Sequence, residues 1–170
     1  HHQPLRMYEA VSQPKWTTPP HNQKISLQQV LDWLKKEVKL SLGCTEPIAI
    51  AYAAAVAAKY LNAPILKITG NISENLYKNA MGVTIPGTSY CGVTLAAAIG
   101  AIGGNADADL EVLKDITATQ ITEAYIFNES GNVCLNAVDA TDFIFIDITL
   151  YSLSDQCRVV IQGSHTNVTE

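Results

Sequence analysis

Seven residues stand in settings that could carry chemistry: Cys44, Glu46, Asn75, Lys78, Asn79, Thr88 and His165. Cys44 lies in Ser41-Leu42-Gly43-Cys44-Thr45-Glu46-Pro47, immediately before an alanine-rich run from Ile48 to Lys59. Thiolate is the reactive form of cysteine, and the unpaired N–H groups of a helix N-terminus favour negative charge there. Cys44 could therefore act as a base, a nucleophile or a metal ligand; the plainer alternative is a small buried apolar residue at a helix start. Glu46 is an acid/base candidate, or simply a first-turn carboxylate favoured by the helix dipole.

Asn75, Lys78 and Asn79 could hold a substrate carboxylate, the amides donating and accepting in fixed directions and the ammonium supplying charge. A solvated helix face explains them equally well. Pro86-Gly87-Thr88, with Gly92 beyond it, could turn backbone N–H groups toward an anion. It is not a Walker A sequence, and Gly100, Gly103 and Gly104 miss the dinucleotide fingerprint, which disfavours nucleotides. His165 follows the last expected strand in a polar loop, a suitable place for proton transfer. Cys91, Cys134 and Cys157 read as structural, and Asp107 and Asp109 as helix caps rather than a metal pair.

Those side chains need a scaffold, and 170 residues fit one domain with a real core. The chain is 48% apolar and 16% charged with a net charge of −5, and it has no basic run. This composition argues against nucleic acid and against an anionic membrane surface. The longest apolar stretch, Ile48 to Ala58, is too short to span a bilayer. No basic segment followed by an apolar one opens the chain, so no signal peptide is expected. The four cysteines show no CxxC spacing, and the expected compartment is a reducing cytoplasm.

Residues 1–25 read as a Pro-rich extended arm and 26–170 as a single α+β domain. Leu27, Val30, Leu31, Leu34 and Val38 predict a first helix, opened by Ser26 with Gln29 and stopped at Gly43. A second helix is expected from about Glu46 to Leu61. Its alanines leave little bulk, so neighbouring helices can approach its backbone, and Pro64 is expected to end it. A strand over Ile65–Thr69 follows. Gly92–Gly104 repeats the small-residue theme, and Asn105 or Asp107 is expected to cap a helix through Lys114, with Thr117–Tyr125 again helical. Val133–Val138, Phe143–Tyr151 and Gln156–Ile161 predict strands, the last two as a hairpin. Helices and strands are mixed rather than alternating, which predicts α+β: packed Ala/Gly-rich helices with a mostly antiparallel sheet from the C-terminal third.

In order and spacing, several blocks resemble one family. Gly43-Cys44-Thr45-Glu46-Pro47-Ile48-Ala49 is one; the stretch from Asn75 to Thr88 is a second; Leu95–Lys114 and Gly163–Asn167 also match. They resemble the amino-terminal portion of the L-cysteine desulfidase family, which is related to iron–sulfur-dependent L-serine dehydratases. The resemblance implies a cytoplasmic β-eliminating lyase of amino-acid catabolism. It would convert L-cysteine to pyruvate, ammonia and sulfide, or act on L-serine, with a [4Fe-4S] cluster held by three cysteines. Cys44 would then be a base or cluster-site residue. Glu46, Asn75, Lys78, Asn79, Thr88 and His165 would line the pocket for a small amino-acid substrate. Members of that family are much longer, and their cluster cysteines lie mostly in the carboxyl-terminal part. The expectation is a chain that needs that part, or a partner subunit, to hold the cluster, and that could form a homo-oligomer. The alternative is a non-catalytic amino-acid-binding or assembly module.

Overall fold

Isoleucine or leucine at every second position from Ile144 to Leu150 gives a strand one fully apolar face. In the computed structural model, which describes residues 5–10, 45–140 and 144–163, that strand lies at the centre of a five-stranded sheet. The strands are β1 (Leu5–Ala10), β2 (Lys67–Ser73), β3 (Val133–Val138), β4 (Ile144–Tyr151) and β5 (Gln156–Gly163), in the spatial order β1-β5-β4-β2-β3. β1–β5, β5–β4 and β4–β2 pair antiparallel, and β2–β3 pairs parallel. The parallel pair requires a crossover, and the helices between β2 and β3 supply it.

Register places Ile146 opposite Ile161, Ile148 opposite Val159 and Leu150 opposite Cys157, while Ile68 and Ile72 of β2 face Leu150 and Ile146. All of these side chains are buried. Each fully buried aliphatic side chain contributes about 1.5–3 kcal/mol, so this shared face holds the sheet far more firmly than any surface ion pair. Gly70 of β2 pairs opposite Ile148 of β4, and a Cβ there would fall on the Asp147 carbonyl.

Over that face lies α1 (Thr45–Leu61), which packs on β4 and β5. Its residues from Ala49 to Ala57 are buried on every side, as expected of a helix apolar all round. α3 (Val93–Gly103) packs on α1, and a Cβ at Gly100 would overlap the backbone of Ala51. Small residues on both helices thus allow backbone-to-backbone approach. α4 (Ala118–Glu129) packs in turn on α3, and the short α2 (Glu74–Met81) joins β2 to the loop before α3.

The fold is α+β, as the pattern predicts. β3, β4 and β5 arise where strands were expected, but the sheet is not confined to the C-terminal third. β2 is inserted between β3 and β4, and β1, from the Pro-rich arm, borders β5. α1 stops before Pro64, because Asn62 adopts a left-handed conformation (φ 49°) and its N–H returns to the Ala58 carbonyl at 2.9 Å. A short polar residue tolerates that cap, and proline beyond it cannot continue the helix. The expected helix through Lys114 is a 3-10 segment, Ala106–Glu111, with the Asn105 side chain accepting from the Asp107 N–H. Thr117 opens α4 with a reciprocal capping box to Gln120. The first expected helix, over 26–42, lies outside the described residues.

Candidate functional site

α1 begins with a carboxylate and a proline in its first turn. The first N–H groups of a helix have no intrahelical acceptor, so Pro47 loses nothing there, and Glu46 gains from the dipole. Glu46 is half-buried rather than splayed into water. Asn79, near the end of α2, donates from Nδ2 to Glu46 Oε2 at 3.4 Å. The second carboxylate oxygen, Oε1, is buried and has no hydrogen-bond partner among the described residues. Most buried polar atoms are paired, so this oxygen stands out as an acceptor with unused capacity among the described residues.

Helical spacing puts Asn75, Lys78 and Asn79 on the same side of α2, at positions three and four apart, and all three are exposed. The amide that meets Glu46 therefore shares a surface with an ammonium and a second amide. Three of the residues singled out on α2 and the one on α1 are brought onto neighbouring elements. Cys44 and His165 lie outside the described residues.

Thr88 is placed differently. Its hydroxyl donates to the Ile85 carbonyl at 2.9 Å and accepts the Tyr90 N–H at 3.0 Å, while its own N–H returns to Ile85 at 3.0 Å. The turn around Gly87 (φ 87°) thus uses Thr88 to close itself. A bridge between Thr84 and Cys91 fixes the base of the loop.

Ser73, which sequence reasoning did not single out, ends β2 and precedes α2. It is 3% exposed, makes no side-chain cap, and its Oγ has no partner among the described residues. A serine before a helix reads as a cap in sequence, so no local signal distinguishes this one. The ion pair between Asp147 and Arg158 was equally invisible: the two lie on adjacent strands and meet through two hydrogen bonds of 2.8 and 3.0 Å. Asp147 raises the Arg158 pKa above its usual range, first by the hydrogen bond and then by its charge, against the opposing effect of partial burial.

A three-cysteine cluster does not fit the described residues. Cys157 is buried on the core face of β5, whereas Cys134 is exposed on the opposite face of β3. With β4 and β2 between them, strand spacing alone separates the two by about 14 Å. Cys91 lies in the loop before α3, and none of the three is in a disulfide. No group of three or more His, Cys, Asp or Glu side chains among the described residues could hold a metal ion. Among those residues no helix is long and apolar enough to cross a membrane.

No family model and no solved structure matches the chain. A UPF0597 protein of Klebsiella pneumoniae is 54% identical over 138 residues, covering 81% of this chain and 32% of the relative. A UPF0597 protein of Shewanella sediminis is 46% identical over 143 residues, covering 84% and 34%. One from Aeromonas hydrophila is 45% identical over 152 residues, covering 86% and 35%. This chain is similar to the UPF0597 proteins. It spans about a third of the length of these curated relatives. The similarity corrects the family expected from the Gly43–Ala49 and Asn75–Thr88 blocks. Relatives aligned over most of the chain are UPF0597 proteins, not L-cysteine desulfidases or L-serine dehydratases. Short Gly-, Ala- and Asn-rich blocks are weaker witnesses than identity sustained across those lengths.

Proposed function

We propose that this chain supplies the amino-acid-binding part of a cytoplasmic lyase that β-eliminates L-cysteine or L-serine. The observation that supports it is the Glu46 carboxylate, steadied on one oxygen by Asn79 and left with a buried oxygen that has no partner among the described residues. A substrate α-ammonium is a charged donor of the kind that oxygen lacks, and a charge-assisted bond there is stronger than a neutral one. Lys78 and Asn75, on the same side of α2 as Asn79, offer a cation and an amide to the substrate carboxylate. Cys44, just before α1, is the proposed base for the α-proton. Elimination requires that proton to leave as the β-substituent departs, and a thiolate favoured by a helix N-terminus can accept it.

The described cysteines do not assemble a cluster site, so a [4Fe-4S] group is assigned to polypeptide outside the described residues. The role of this chain is to bind and orient the amino acid and to move its proton. Scattering of Cys91, Cys134 and Cys157 also favours a second reading, an amino-acid-binding module without turnover.

Calorimetric titration with L-cysteine and L-serine tests the binding claim. The expected result is saturable binding that weakens about tenfold or more in Glu46→Gln, a loss of about 1.4 kcal/mol. No binding of either amino acid, or equal binding by the variant, removes the site. Pyruvate release by a full-length UPF0597 relative, reconstituted anaerobically with iron and sulfide, separates the lyase from the binding module.

A further inference from the structure

Three exposed large apolar side chains lie on or against α4. Tyr90 and Tyr125 are in ring contact, with centroids 5.2 Å apart, and Ile126 follows on α4 with 58% of its surface exposed. Beside them runs an open groove of about 330 Å³ lined by Ala118, Thr119, Thr122, Glu123 and Ile126. These positions repeat at helical spacing along one side of α4. α4 meets α3 on its other side but fully buries only Ala124. A helix with apolar residues distributed around it is built to be covered on more than one side. Apolar side chains of this size exposed together around one helix mark an interaction surface.

The lengths of the relatives indicate what covers it. The matched segments make up 32–35% of the UPF0597 proteins aligned above, so about two-thirds of each relative is polypeptide with no counterpart in these elements. We infer that the outer side of α4, together with Tyr90, is the surface on which the remaining two-thirds of a UPF0597 protein folds, seating apolar side chains in the groove along Ala118, Thr122 and Ile126. The inference does not rest on the amino-acid reading, because it is read out by protection and stability rather than by ligand.

Hydrogen exchange on this chain and on the full-length Klebsiella relative tests it. Amides of the segment matching Ala118–Glu129 should exchange about tenfold or more slowly in the full-length protein. Ile126→Glu should leave the melting temperature of this chain nearly unchanged. Glutamate at the aligned position should lower that of the full-length relative by about 5 °C or more, because the charge would then be buried. Failure of that variant to fold supports burial as well, while exchange on the unmutated proteins gives an independent measure. Equal exchange in the two proteins overturns the inference. So does an equal effect of glutamate in both, or loss of a self-associated form of this chain in Ile126→Glu with α4 unprotected in the full-length relative.

Discussion

Asn79 Nδ2 reaches Glu46 Oε2 at 3.4 Å across 33 residues of sequence and ties the end of α2 to the first turn of α1. At that length the bond is weak, and its importance lies in orientation: it fixes one carboxylate oxygen and leaves the other buried without a partner among the described residues.

Replacing the amide by a carboxylate inverts this contact. Asn79→Asp would set two carboxylates at hydrogen-bonding distance, and like charges so placed raise the pKa of the pair. A folded-state pKa raised above the unfolded value brings a penalty as pH rises through it, and relief below both values. Urea denaturation should therefore show the variant about 1 kcal/mol less stable than the parent at pH 7, with the gap narrowing toward pH 4 and closing below it. A gap that stays constant between those pH values would mean the two side chains do not meet in solution.

The α1–α3 contact makes a prediction about stability. In Gly100→Ala the new methyl would fall on the Ala51 backbone, which cannot step aside as a side chain can. Gly131→Ala meets nothing and suffers only from its left-handed backbone, φ 81°. The first should cost about 3 kcal/mol and the second about 1 kcal/mol. Thermal unfolding reads the order, and a Gly131 variant melting below the Gly100 variant would contradict the close helix contact.

Arg158 and Asp147 supply a third test. Arg158→Lys keeps the charge but loses the two-pronged geometry, and the partly exposed pair should be worth about 0.5–1 kcal/mol. The raised Arg158 pKa contributes stability that is complete throughout the working range and is lost only as pH climbs through strongly alkaline values. The difference between parent and variant should therefore be flat from about pH 6 to pH 9 in urea titrations. A slope in that window would show that another group governs the pair.

The strands and helices were legible because each carries its own period. Ile144, Ile146, Ile148 and Leu150 alternate onto one face whatever their neighbours, and the alanines of α1 announce a helix others can approach. α1 began within a residue of its expected start, since its opening signal is local. The cap at Asn62 escaped notice because Pro64 is the louder stop signal, and the place of β1 beside β5 rests on pairing with a strand some 150 residues away. Nor could short motif blocks identify relatives; identity sustained over 138 residues or more points to the UPF0597 proteins instead.

Sequence alone determined the α+β class, the small-residue helices and the presence of a carboxylate behind a helix start, all set by local propensity and spacing. Tertiary structure decided which of those residues meet. It brought Glu46 to Asn79, turned Thr88 into a loop fastener, set Cys134 and Cys157 on opposite faces of the sheet, and left the outer side of α4 uncovered by the described residues. Such outcomes depend on packing between distant segments, where strand register and helix approach fix geometry that no local pattern encodes. Glu46 is a first-turn acid by sequence, and only the approach of α2 makes it a half-satisfied carboxylate.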